Sequence, residues 1–263
     1  MRILNVAKLA VQNCRFKLWQ WRNPGSSFKD YFVDIAKNDL AQGRKHPSLG
    51  RVAWERKFHH FQARLGIRPD DVCVDYGCGT LRMGIHAIQF LNRGCYWGLD
   101  IDQDLLDQGR RLIRPQVEDK APNLRVISPA TVREAASAKP ALLFSLRVLI
   151  HVHPYELDEY IANILTIIGE EGRAFITGKW SPGKSFQFGR QSWAHSLEVL
   201  NRIAVGNRGH ICVAVEKDWP FTKLGKVAKD GALEMRGGGC QALMALKVQS
   251  ARSGQSLTNK AAD

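Results

Sequence analysis

From about residue 70 the chain alternates short apolar, β-branched runs with stretches whose apolar residues recur every three or four positions. The runs at 71–75, 95–99, 124–128, 141–146, 172–177, 210–216 and 240–248 read as strands, and 82–92, 103–114, 130–137, 155–168 and 191–204 as helices. Five strand–helix alternations force an α/β fold, because parallel neighbours need a crossover and the crossovers are helical. The expected architecture is a doubly wound, mostly parallel seven-stranded sheet. No helix separates the last two strands. A Gly- and Lys-rich loop at 217–239 lies between them, so they are expected as an antiparallel pair. The expected organisation is a helical basic N-terminal extension over 1–66, the α/β domain over 67–249, and a polar disordered tail over 250–263.

The first strand ends in "VCVDYGCGTLRMG", Val72 to Gly84. An acid and two glycines stand where a strand turns into a helix. A dinucleotide fingerprint, G-x-G-x-x-G, would need a glycine at position 82, which is Arg82. A phosphate-binding loop would need Lys and Ser or Thr after Gly84, and Ile85 and His86 follow instead. Neither pyrophosphate cradle is present. The second strand also ends in an acid, "YWGLD", with Asp100 last. Open parallel sheets bind ligands outside the carboxyl ends of their strands. Asp75 and Asp100 therefore belong on one rim, where a terminal carboxylate can accept both hydroxyls of a ribose.

These residues resemble the class I S-adenosylmethionine-dependent methyltransferases, which have a Rossmann-like fold. "VDYGCGTLRMG" matches the family's first motif, "GLDID" its acidic second motif, and "IGEEGRAFIT" its turn into strand five. The resemblance implies methyl transfer from S-adenosylmethionine. It implies that Gly77, Cys78 and Gly79 border the methionine and ribose, that Asp75 holds the amino group, that Asp100 binds the ribose, and that Ile101 lies on the adenine. Many members carry an acid after strand three. Here the sequence is "VISPAT", which leaves the Ser128 hydroxyl or a backbone group for that contact. The methyl group should face the end of strand four, where "FSLRVLIHVHPY" sets Ser145, Arg147, His151 and His153. Ser145 is expected on the cofactor side. His151, then His153, are the candidate general bases, since a histidine titrates near neutral pH. The family's amine-methylating [D/N]PPY motif is not matched, because "HPY" has one proline and no leading Asp or Asn. The expected acceptor is thus a hydroxyl on a small molecule or glycan. "GKWSPGKSFQFGRQSW" after strand five interleaves aromatics with cations and is a candidate acceptor wall.

Lys and Arg exceed Asp and Glu by 38 to 25, a net charge of +13. That balance favours acidic partners and keeps RNA methylation as an alternative, beside a non-catalytic cofactor-binding role. The six cysteines show neither CxxC nor zinc-finger spacing, and His59 and His60 have no third ligand in register, so no metal is expected. Without a membrane-spanning run or a signal-peptide pattern, the expected location is cytoplasmic. Residues 1–22 read as a basic amphipathic helix, with Ile3, Ala7, Val11, Cys14, Leu18 and Trp21 on one stripe. It admits two readings: attachment to an anionic membrane surface on the inner face, or packing on the core over the active site.

Overall fold

The computed structural model describes residues 14–42, 58–59, 62–63, 65–181, 183–189, 191–214 and 240–248. Strands β1 (Cys73–Tyr76), β2 (Tyr96–Asp100), β3 (Asn123–Val126), β4 (Leu142–Ser145) and β5 (Arg173–Ser181) run parallel in the order β3-β2-β1-β4-β5. Beyond β5 lies β9 (Cys240–Val248), antiparallel to β5, and then β8 (Gly209–Ala214), antiparallel to β9. All seven expected strands are thus in place, with the last pair antiparallel. The tail over 250–263 and the 217–239 loop lie outside the described residues.

β1 is central, and all four of its residues are buried. The pleat sends alternate side chains to opposite faces. Val74 joins Leu99, Leu143 and Ile176 in a core under α7 (Leu157–Ile168), while Cys73 joins Tyr96, Leu142 and Phe144 in a core under α3 (Gly84–Phe90) and α4 (Gln103–Leu112). The second core includes Cys78. Cys14, Cys73, Cys78 and Cys95 are unbridged.

Two departures from the sequence reading matter. β5 runs on to Ser181, past the expected end at 177, and the expected helix over 191–204 begins late. Between them a hairpin forms from β6 (Phe186–Gly189) and β7 (Ser192–Ser196), which brings the sheet to nine strands. The end of β5 pairs with β7 through Trp180 and His195. Ser196 then caps α8 (Leu197–Gly206) by accepting a hydrogen bond from Val199 N. In "QSWAHSLEV" the strand's alternation is one hairpin arm long and merges into the helical period behind it, so only Ser196 marks the boundary.

The N-terminal extension packs on the α/β domain. Phe16 and Trp19, on the helical segment 14–22 (α1), meet Phe28, Tyr31 and Ile35 of α2 (Phe28–Ala41). Trp19 Nε1 donates to Asp34 at 3.0 Å. The Lys29 backbone N–H donates to Glu156 at 3.1 Å, Lys29 Nζ reaches Glu159 at 2.7 Å, and Lys37 reaches Asp104 at 3.0 Å. Of the residue 1–22 helix, the described part, 14–22, packs through Phe16 and Trp19 on α2 and through Phe16 on His153. Residues 1–13 and 43–57 lie outside the described residues. Among the described residues no helix is long and apolar enough to cross a membrane.

Candidate active site

The carboxyl ends of β1, β2 and β4 open into one pocket of about 210 Å³. The chain leaves β1 through a turn that only bare backbone can make. Gly77 has φ +83°, and a Cβ there would collide with Val148 from the β4 end. Gly79 follows at φ +55°. The amides of Gly77 and Cys78 fold back onto Leu99 O at 2.7 and 3.0 Å, which ties the turn to β2. The third glycine of the motif has a different task. A Cβ on Gly84 would collide with the Tyr96 hydroxyl, and that hydroxyl donates to Asp75 Oδ2 at 2.9 Å.

Asp75 and Asp100 line the pocket side by side, as expected from adjacent strand ends. Asp100 accepts from Gly79 N at 2.7 Å and from Asp102 N at 3.1 Å. Burial pushes the Asp75 carboxyl up to about 7, against the Tyr96 hydrogen bond and with the Asp100 charge adding to the rise. Burial likewise pushes Asp100 up to about 6, against the backbone N–H groups of Gly79 and Asp102. Two desolvated acids around a turn that admits close approach suit a ligand bearing a positive charge and hydroxyl donors. Ile101, Leu105 and Ile127 add an apolar wall at the β2–β3 side. S-adenosylmethionine carries an ammonium, a ribose diol and an adenine, so these residues fit it.

Three of the expected site residues do not line the pocket. Ser128 caps α6 (Pro129–Ser137), with its hydroxyl accepting from Thr131 N at 3.2 Å. Ser145 is fully buried, donates to Tyr76 O and accepts from the Tyr160 hydroxyl, both at 2.8 Å, and so clamps β4 to β1 beneath the pocket. His153 is buried among the rings of Phe28, Phe16 and Trp193, where burial lowers its pKa to about 4. A histidine neutral that far below pH 7 and walled in by aromatics is a packing residue.

His151 does line the pocket. It closes a 3₁₀ turn, Leu149–His151, just after β4. Its Nδ1 lies 2.7 Å from Gln191 O. A carbonyl can only accept, so Nδ1 carries the proton and Nε2 is the basic nitrogen. Behind it, fully buried His195 on β7 donates through Nε2 to Leu149 O at 3.0 Å. The hairpin absent from the sequence reading thus holds both ends of the turn that carries His151.

Other pocket residues carried no signal in the sequence. Lys29 and Phe32 arrive from α2, and Phe32 packs on the His151 ring at 5.2 Å between centroids. Glu156, Glu159, Tyr160 and Asn163 arrive from the Pro154–Glu156 turn and α7. Only the helical spacing of 156, 159, 160 and 163 hinted that they share a face. Arg82 and Arg147 also line the pocket, and Arg147 holds φ +65°. A left-handed backbone at a non-glycine residue costs about 1–2 kcal/mol. Here it is fixed by a 2.7 Å hydrogen bond from Arg147 N to the buried Thr177 hydroxyl. The expected acceptor wall after β5 is partly committed elsewhere. Lys179 sits over Phe188 at 4.0 Å, Trp180 is buried, and Trp193 packs edge-on against His153. Among the described residues no three His, Cys, Asp or Glu side chains group as metal ligands.

No protein-family model matches the chain, and no curated protein sequence matches it. Solved structures do. Magnesium protoporphyrin IX methyltransferase from Synechocystis PCC 6803, with S-adenosylmethionine bound, is 15% identical with TM-score 0.55, over 85% of this chain and 99% of that one. A 1,6-didemethyltoxoflavin-N1-methyltransferase from Burkholderia thailandensis is 17% identical with TM-score 0.54, over 86% and 92%. An S-adenosylmethionine-dependent methyltransferase from Clostridium acetobutylicum is 13% identical with TM-score 0.50, over 85% and 100%. At these identities the likeness establishes the fold: the Rossmann-like fold of the class I methyltransferases.

Proposed function

We propose that the protein is an S-adenosylmethionine-dependent methyltransferase whose acceptor is a hydroxyl of a small molecule or glycan. The observation that carries this is the pair of buried acids, Asp75 and Asp100, on adjacent strand ends around the Gly77–Gly79 turn. The cofactor supplies an electrophilic methyl group on a sulfonium. Asp100 would accept the ribose hydroxyls, Asp75 would face the ammonium, and Ile101 and Ile127 would cover the adenine. Burial keeps water from competing for both carboxylates.

His151 is the proposed general base. Its Nδ1–H is spent on Gln191 O, so Nε2 can take the hydroxyl proton as the oxygen is methylated. The Phe32 ring packs on the imidazole at 5.2 Å between centroids. The solved structures with TM-scores of 0.55 and 0.54 are named for small molecules, magnesium protoporphyrin IX and 1,6-didemethyltoxoflavin, which supports the small-molecule part of this reading. RNA rests on the net charge of +13 alone.

The test is methyl transfer from labelled S-adenosylmethionine into an extract of the native host, separated into small molecules, glycans, lipids and RNA. Label in the small-molecule or glycan fraction that resists base hydrolysis, as an ether does, supports the hydroxyl reading; label released by base is an ester and overturns it. Label confined to RNA overturns the acceptor assignment, and no label in any fraction overturns the activity.

A further inference from the structure

We propose that the outward face of α1, where Arg15, Lys17 and Arg22 flank an apolar stripe of Cys14, Leu18 and Trp21, is a docking surface for the anionic headgroup layer of a lipid bilayer. None of these residues lines the pocket, so the inference stands apart from the methyl-transfer reading.

α1 carries apolar side chains on two faces. Phe16 and Trp19 are half-buried against Phe28, Tyr31 and Ile35 of α2. A helix turns about 100° per residue, which puts Cys14, Leu18 and Trp21 together on the opposite side. All three are exposed, Leu18 by 50% and Trp21 by 77%. A single exposed apolar residue needs no explanation. A stripe about two turns long, on a helix that already has a core face, has no packing role in the fold. Tyr155 is 92% exposed beside α1, and its ring shares His153 with Phe16, at 5.0 and 5.7 Å between centroids.

The charge on this face has one sign. The same helical step sets Lys17 on one flank of the stripe and Arg15 and Arg22 on the other. All three are exposed, and none has an acidic partner among the described residues. From Met1 to Lys29 there are six Lys and Arg and no Asp or Glu. On neighbouring α2, Asp30 already accepts from Ser27 and Asp34 from Trp19. An apolar stripe between cationic flanks complements an anionic interface. Leu and Trp side chains enter the headgroup boundary while Lys and Arg stay with the phosphates. A second copy complements it less well. A two-fold contact pairs a patch with itself, so it would set these cations against their own copies. Nucleic acid would use the cations and leave Leu18 and Cys14 without a role.

Sedimentation of the full chain with vesicles of phosphatidylcholine, alone and mixed with phosphatidylserine, tests the surface. Binding is expected to the mixed vesicles, weaker to the neutral ones, and falling as salt rises. Arg15→Gln, Lys17→Gln and Arg22→Gln combined should weaken it by about 100-fold, at about fivefold per charge near an anionic leaflet. Leu18→Ser with Trp21→Ser should weaken it by about tenfold or more. Every substituted side chain is exposed, so melting temperatures should match wild type. Wild-type tryptophan emission should shift to the blue on the mixed vesicles, and by less in Trp21→Phe. Wild type that stays in the supernatant at low salt overturns the proposal, as does an unshifted emission spectrum. Vesicle binding that survives both sets of substitutions places the contact elsewhere on the chain and overturns it too. A wild-type dimer that the Leu18 and Trp21 substitutions dissociate, with no vesicle binding, gives the face to a second copy. Substitutions that weaken binding to an RNA oligonucleotide and leave vesicle binding unchanged give it to nucleic acid. Either result overturns the membrane assignment.

Discussion

The β1–β2 side of the pocket comes from one stretch, 75–105, joined by Ile127, whereas the β4 side draws on 29–32, 146–152, 156–163 and 191–195. On the first side the pocket is walled by a glycine turn, two acids and the apolar side chains beside them, set by strand register. On the second it is walled by long side chains set by packing between segments far apart in the chain. Under the proposed function the first side would select the cofactor, and the second would set the chemistry done on it. A perturbation on one side should therefore leave the other side's readout intact, and that independence can be broken experimentally.

The largest effect is expected from Gly77→Ala. The added Cβ meets Val148, and the residue must hold a positive φ. Binding of S-adenosylhomocysteine should fall below detection and the melting temperature should drop. Retained affinity would mean that the turn does not touch the ligand. His151→Ala comes next. Turnover should fall by about 10²–10⁴-fold, with the neutral-pH limb of the rate profile lost. Its cofactor affinity should stay within a few-fold of wild type, and a parallel collapse of affinity would merge the two sides. Asp100→Ala should weaken cofactor binding by about 1.5–3 kcal/mol, the scale of a hydrogen bond to a charged group. Unchanged affinity in a folded variant would remove Asp100 from the ribose site. The smallest effect belongs to Phe32→Ala, which strips the ring from His151. An aromatic contact of this kind is worth about 0.5–1.5 kcal/mol, so acceptor KM or kcat should change by a few-fold to about tenfold. Steady-state kinetics with cofactor affinity measured alongside would show whether α2 belongs to the acceptor side.

The same contrast explains what the sequence could disclose. Asp75, Gly77, Gly79, Asp100 and Ile101 were legible because strand ends and turns are local, and the pattern of acid and bare backbone survives in one dimension. The parallel order of β1 to β5 was legible from the alternation alone. Ser128 and Ser145 were misplaced because a hydroxyl near a strand end can cap a helix or clamp a strand as readily as meet a ligand, and only hydrogen-bond partners decide. His151 and His153 looked equivalent two residues apart. The 3₁₀ turn points one into the pocket and the other into the Phe16–Phe28–Trp193 cluster. The arrival of Lys29 and Phe32 had no local signature, since their partners lie more than a hundred residues away in the chain.

Binding of S-adenosylhomocysteine by calorimetry, at pH 8 and at pH 6, tests the central claim most directly. Asp75 sits at about 7 in the protein, so its carboxylate is mostly ionised at the higher pH and mostly protonated at the lower. A ligand ammonium favours the ionised form, and affinity must therefore fall as pH falls. Saturable 1:1 binding is expected at pH 8 and roughly tenfold weaker binding at pH 6, with most of the difference removed in Asp75→Asn and a small remainder left by Asp100 at about 6. Folded protein that gives no heat at millimolar ligand would contradict the central claim.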